Sequence, residues 1–199
     1  MDAVESLEIE RKYAVDDPAA MPTTEAFAAL GLRLEAPESH GLEARYFDTP
    51  GGELAAQRAA VRMRIGGKDE GWHLKEKGER AARELLWPPA EATPEGLRAE
   101  LDRRLGQGGA ARIVMIARLR TQRTTALLRD AAGAAVIELA DDRVDATNEL
   151  TGKRQRWREW EAELLPGADE GLLDRIEPLL LAAGGARQRG TSKIQRTMS

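Results

Sequence analysis

Apolar and charged residues alternate over short segments along most of this chain, and that alternation predicts β-strands. In the segment 5–15, Leu7, Ile9 and Tyr13 alternate with charged residues, so a strand places the two kinds on opposite faces. Further strands are predicted at 32–36, 42–47, 59–65, 71–77, 80–87, 114–122, 124–130, 134–144 and 155–165. Gly-rich and charged turns join the three strands between 59 and 87 into an antiparallel meander.

Three helices are predicted among these strands. One covers 22–30, begins at a threonine and ends at Gly31. A second covers 93–105, where leucines recur every fourth residue, and a third covers 169–181, interrupted near Pro178. The order of the elements indicates an α+β fold, followed by a polar tail.

Charges of one sign are grouped on the polar faces of the predicted strands. Glu8 and Glu10 share a strand face with Lys12, whereas Arg62 and Arg64 share a face on the central meander. A third strand carries glutamates at 159, 161 and 163. Helices cover the apolar side of such a sheet, so the charged side must face water or a lumen. Segregation of the signs favours a closed antiparallel β-barrel, a tunnel with a polar, charged lumen and helices packed outside.

The composition limits the classes of protein to which the chain can belong. With 199 residues, a single domain covering 1–199 is expected. Lys and Arg number 30 against 34 Asp and Glu, a formal charge of −4, which does not favour a general nucleic-acid-binding protein. No apolar run approaches the length of a membrane span, and the N-terminus does not resemble a signal peptide. A cytoplasmic protein without a membrane partner is expected, and a homodimer stays open.

The chemistry of a metal site is restricted as well. The chain has no cysteine and only two histidines, His40 and His73, so thiolate ligands and a histidine cage are excluded. Any metal would be bound by oxygen ligands, which points to Mg²⁺, Mn²⁺ or Ca²⁺.

Several motifs in order along the chain resemble one known family. They are 8–12 (EIERK), 45–50 (RYFDTP), 61–64 (VRMR), 71–75 (GWHLK), 83–84 (RE), 120–123 (RTQR), 138–142 (ELADD), 159–164 (EWEAEL) and 192–193 (SK). Together they resemble the CYTH domain superfamily of triphosphate tunnel metalloenzymes. The sequences of 46–50 and 71–75 are most similar to those of bacterial CYTH domains that often precede a CHAD domain.

The resemblance implies a role for individual charged residues. The expected metal ligands are Glu8, Glu10, Glu138, Glu159 and Glu161, with Glu163 on the same face. The expected phosphate contacts are Lys12, Arg62, Arg64, Lys75, Arg123 and Lys193, and the catalytic residues among them are Lys12, Arg62 and Arg64. Arg83, Arg120 and one of Asp141 and Asp142 match the family less directly, the two arginines as substrate contacts. Arg11 falls on the opposite strand face and is not expected at the site.

The implied function is hydrolysis of a triphosphate, first of all inorganic triphosphate, by a Mg²⁺- or Mn²⁺-dependent enzyme. The substrate partner is then a small anion, triphosphate or polyphosphate. One alternative is an enzyme that processes a nucleoside or thiamine triphosphate, including a class IV adenylate cyclase. The other is a non-catalytic module that binds polyphosphate. Five glutamates beside an anion site favour metal chemistry, because carboxylates repel an anion unless a cation lies between them.

Overall fold

A computed structural model describes residues 3–188 and 190–199 of the chain. The strands are β1 (Val4–Ala14), β2 (Arg33–Leu34), β3 (Glu38–Asp48), β4 (Ala59–Ile65), β5 (Gly71–Lys77), β6 (Ala82–Trp87), β7 (Val114–Arg129), β8 (Ala135–Asn148), β9 (Arg154–Leu164) and β10 (Ala186–Gln188). The helices are α1 (Thr24–Ala28), α2 (Glu53–Ala56), α3 (Glu95–Leu105), α4 (Gly171–Ala182) and α5 (Lys193–Met198).

Eight of these strands close into an antiparallel barrel in the order β1-β6-β5-β4-β3-β7-β8-β9. The strand β1 completes the ring, because residues 4–8 pair with β6 and residues 9–14 pair with β9. The short strands β2 and β10 lie beside this ring, against β7 and β1. The predicted closed barrel of an α+β fold is confirmed.

The apolar faces of the strands point outward and are covered by helices. Under α4, Tyr13 of β1 and Trp160 of β9 are fully buried together with Ile176. Under α3, Leu74 of β5 is fully buried with Leu97. Burying one such side chain contributes about 1.5–3 kcal/mol, so the barrel is stabilised largely from outside and its interior can carry polar groups.

Three features of the fold differ from the sequence-based expectation. The strand β7 runs unbroken for 16 residues, because no turn residue separates 114–122 from 124–130. The helix α4 continues through Pro178, since the buried Ile176 and Leu180 offset the loss of one backbone hydrogen bond. The elements α2, β10 and α5 were not predicted. Across residues 3–188 and 190–199, every helix is too short or too polar to cross a bilayer.

Candidate functional site

The barrel encloses a cavity of about 1000 Å³ that is lined by charged side chains. Strands place alternate residues on their two faces, so the polar residues that alternate with the outward apolar ones point into this cavity. All six residues expected to contact phosphate line it: Lys12, Arg62, Arg64, Lys75, Arg123 and Lys193. Glu8, Glu10, Glu161 and Glu163 also line it.

Three carboxylates lie side by side in the strand register. Glu10 of β1 is opposite Glu163 of β9, which is opposite Glu138 of β8. Like charges directly across strands are destabilising unless a cation lies between them. The amine of Lys75 contacts Glu10 at 3.1 Å and also contacts Glu8. Lys12 also contacts Glu10 at 2.9 Å, and Lys68 contacts Glu138, so within the described residues Glu163 is the one member of the row without an ion pair.

The carboxylates in and beside this row differ in their protonation. Burial, together with a hydrogen bond to Glu84, raises the pKa of Glu8 to about 8, although Lys75 opposes the shift. Burial and the neighbouring charge of Glu10 also raise the pKa of Glu163. The pKa of Glu10 is lowered instead, because the charges of Lys12 and Lys75 outweigh its burial.

A second group of carboxylates is already paired with bases. Oxygen atoms of Asp142, Glu159 and Glu161 lie within 4.8 Å of one another, close enough to share a metal ion. The amine of Lys193 is 2.7–2.8 Å from all three carboxylates. Arg123 bridges Asp142 and Glu161 at 2.6 Å. The five expected metal ligands thus fall into two groups, with Glu159 and Glu161 in the neutralised one.

The helix α5 carries Lys193 into this second group. Ser192 caps the helix through a reciprocal pair of hydrogen bonds with Gln195, which fixes its first turn. Ile194 and Met198 pack against a buried apolar cluster on the interior faces of the barrel. The Ser-x-x-Gln spacing was the sequence signal for this helix, and it was missed because the tail has no apolar periodicity.

Arginines dominate the opposite wall of the cavity. Arg62 donates a hydrogen bond to Glu84 at 3.2 Å, and Arg64 pairs with Asp69. The Nε–H groups of both arginines are buried, yet they have no acceptor among the described residues. Unsatisfied buried donors are costly, so these two groups fit a site that receives an anion.

His73 lies beside this wall and is held neutral. Its Nε2 is 2.9 Å from the carbonyl oxygen of Asp69, and its Nδ1 is 3.1 Å from a carboxylate oxygen of Glu84. Burial and the positive charge of Arg62 lower the pKa of His73 to about 4. His73 and Glu84 thus orient Arg62. The sequence analysis did not assign this role to Glu84.

Two of the expected substrate contacts lie on the outer face of the barrel, which corrects their assignment. Arg83 alternates with the inward Glu84 and pairs with Glu5 and Glu76. The side chain of Arg120 is 71% exposed, and its nearest carboxylate is 3.9 Å away. Neither residue lines the cavity, because each is one position out of phase with the inward residues of its strand.

The strand period also explains the orientation of three residues: Asp141 and Asp142, which the resemblance left open, and Arg11, which was not expected at the site. Asp142 is fully buried on the inner face of β8, whereas Asp141 pairs with Arg158 outside. Arg11 lies outside as expected and pairs with Asp174 and Glu177 of α4.

Comparison with known proteins agrees with this architecture. The chain is 35% identical over 206 aligned positions to uncharacterized proteins from two Mycobacterium tuberculosis strains, an alignment that covers 96% of this chain. It spans 40% of the length of these curated relatives.

Solved structures share the fold at low sequence identity. A putative adenylate cyclase from Bacillus halodurans aligns over 98% of this chain and 99% of its own, with a TM-score of 0.63 and 19% identity. A Hippeastrum protein, described as a putative adenylyl cyclase with a dominant triphosphatase activity, aligns over 98% of this chain and 95% of its own (TM-score 0.60, 18% identity). The CYTH domain family model matches residues 6–198. The chain belongs to the CYTH domain family.

Proposed function

We propose that the lumen hydrolyses a triphosphate in a reaction that depends on a divalent metal ion, with inorganic triphosphate as the preferred substrate. The observation that carries the proposal is the division of one cavity into an acid-rich wall and a wall of arginines and lysines. A highly charged anion binds to the wall of arginines and lysines. It can lie beside the acid-rich wall only when a cation separates the two. The triphosphatase activity described for the Hippeastrum protein supports the same class of reaction.

The carboxylate row suits a hard divalent cation. All of its donors are oxygen atoms, which fits Mg²⁺ or Mn²⁺. Glu8, Glu10 and Glu163 line the cavity, and Glu138 extends the row. A bound ion supplies neutralisation of phosphate oxygens and activation of a water molecule. Within the described residues Glu163 has no ion pair, which supports this choice over the Asp142 group, whose three carboxylates share Lys193 and Arg123.

The residues of the protein bind and orient the substrate. Arg62 and Arg64 offer planar guanidinium groups that grip phosphate oxygens in pairs, and their free Nε–H groups become satisfied on binding. Lys12 contacts Glu10 and Glu161, so its ammonium lies where it can bind both a carboxylate and a phosphate. Phosphoryl transfer has a loose transition state, so fixed positive charges supply most of the catalysis and no protein nucleophile is needed.

We prefer inorganic triphosphate because the groups on which the proposal rests all bind phosphate or metal. Part of the lumen is apolar: Tyr46, Leu119 and Val144 are at most 6% exposed and are packed with Ile194 and Met198. Other apolar residues, among them Leu42 and Ile116, line the cavity, so the test includes triphosphates that carry an organic group.

A phosphate-release screen tests the proposal. Purified protein is given tripolyphosphate, ATP or thiamine triphosphate with Mg²⁺, with Mn²⁺ or with EDTA. We expect metal-dependent turnover with the highest kcat/KM for tripolyphosphate. Preference for ATP with formation of cyclic AMP and pyrophosphate would instead identify a cyclase. Tight binding of polyphosphate without metal-stimulated hydrolysis would identify a binding module.

A further inference from the structure

Three exposed bases lie in or beside the turn that joins β5 to β6. Arg58, Lys77 and Arg80 all line the cavity, and we call them the rim cluster. Lys77 lies two residues beyond Lys75 on the inward face of β5, which places the two Cα atoms about 7 Å apart along the strand. The rim cluster therefore begins one strand period beyond the bases of the candidate active site.

The rim cluster differs from the bases inside the lumen in how it is paired. Each of the six lumen bases contacts at least one carboxylate, as Lys75 contacts Glu8. By contrast, within the described part of the chain, Arg58, Lys77 and Arg80 have no carboxylate within 4.0 Å. Arg58 donates to the carbonyl oxygen of Gly78 at 3.3 Å, and Lys77 donates to that of Gly190. The charges of Arg58 and Lys77 are thus oriented by the backbone. Glu79 of the same turn also lines the cavity, but it forms no ion pair with the rim cluster.

The backbone at Arg58 provides an independent observation. Arg58 has a φ of 57°, the one positive value at a non-glycine residue in the described structure. Its backbone is fixed there, because its N–H donates to Ala55 and its carbonyl accepts from Lys77, both at 2.9 Å. Glycine adopts this conformation without strain, whereas an arginine is strained there.

We propose that the rim cluster is a subsite for the additional phosphates of a linear polyphosphate longer than triphosphate. The inference rests on the proposed function, since it places the end of the chain in the lumen and the following phosphates at the rim. Uncompensated guanidinium and ammonium groups recognise a repeated phosphate chain without needing any other chemical group on it. Burial lowers the pKa of Lys77, and the positive charges of Arg58 and Lys12 lower it further, while Glu10 opposes the shift.

The test compares two substrates in four proteins. KM is measured for tripolyphosphate and for size-fractionated linear polyphosphate of several tens of phosphates, using the wild type, Arg58→Gly, Arg80→Gln and the double variant. Arg58→Gly relaxes the backbone and Arg80→Gln lies in an exposed turn, so neither is expected to lower the unfolding midpoint. Arg120→Gln is the matched control, because it removes one exposed arginine from the outer wall.

We expect each rim variant to raise KM for the long chain by about two- to fivefold, and the double variant by roughly the product of the two. KM for tripolyphosphate and all values of Arg120→Gln should stay close to the wild type. The inference is overturned if the two substrates change in parallel, or if Arg120→Gln has the same effect as the rim variants.

A binding measurement separates failure of this inference from failure of the proposed function. Competition of both phosphate chains for a fluorescent polyphosphate probe, with Mg²⁺ present, does not require turnover. If no variant hydrolyses either substrate but the rim variants still weaken only long-chain binding, the subsite stands and the hydrolase assignment fails. If turnover of tripolyphosphate is normal and long-chain binding is unchanged in the double variant, the subsite is refuted and the hydrolase assignment stands.

Discussion

Replacement of Arg62 by methionine separates the two roles of this arginine in stability and in catalysis. Arg62 is the guanidinium nearest to Glu84, a carboxylate whose side chain is only 7% exposed. Removing one partner of a buried ion pair costs about 3–5 kcal/mol, because the other charge stays buried. Here His73 remains 3.1 Å from Glu84 and can take a proton once the charge of Arg62 no longer opposes it. We therefore expect a loss of about 2–3 kcal/mol at pH 7.

The same variant makes specific predictions about pH and turnover. The pKa of His73 should rise from about 4 toward its ordinary 6.5, so the stability deficit should shrink as pH falls from 7 to 5.5. Loss of one preorganised charged donor should lower kcat by about 10²–10³-fold. Urea unfolding at several pH values, NMR titration of the two histidines and phosphate release measure these three quantities.

A second variant provides the decisive comparison. In Arg62→Met/Glu84→Gln both charges of the pair are gone, so stability should return to within about 1 kcal/mol of the wild type. Turnover should stay as low as in the single variant. Recovery of activity in the double variant would show that Arg62 acts only by neutralising Glu84, and the reasoning on phosphate binding would be wrong.

Three further outcomes are expected. The pKa of His73 is about 4 in the folded protein and 6.5 when unperturbed, so the unfolded chain binds this proton first as pH falls. The free energy of unfolding should therefore fall by up to about 3 kcal/mol between pH 6.5 and 4, and urea titrations of His73→Asn should show a shallower fall. Arg83→Gln and Arg120→Gln, both on the outer wall, should leave kcat/KM for tripolyphosphate unchanged, and a tenfold loss in either would return that residue to the site. Lys193→Met should lower kcat/KM at least tenfold with intact far-UV circular dichroism, since it removes a contact of Asp142, Glu159 and Glu161 but no barrel strand; a normal rate would contradict a role for α5.

The period of two along the strands was enough to predict which residues face the lumen. It placed Glu8, Glu10 and Lys12 inside and Arg11 outside without any knowledge of the strand order. Closure of the sheet was favoured by the grouping of charges, because a charged face needs no apolar partner when it surrounds a solvated cavity.

The errors in the site have equally physical causes. Arg120 was assigned to the site because the predicted strand ended at residue 122. In the unbroken β7, Arg120 and Arg123 lie on opposite faces. Arg83 shares a strand face with Leu85 and Trp87, which pack outside, so its orientation was readable but unused. Pairings such as Lys193 with Asp142 join residues 51 positions apart through α5, and local sequence carries no record of such contacts.

The pairing of β1 with β9 has a consequence for how the molecule assembles. Ile9 lies opposite Leu164, so the seam that closes the ring joins residues about 150 positions apart. Closing so long a loop is entropically costly, and contacts of this kind slow folding. During synthesis, β1 has to wait until β9 has left the ribosome. Meanwhile the charged face of the open sheet stays hydrated, a condition that a barrel with an apolar interior would not offer during the same delay.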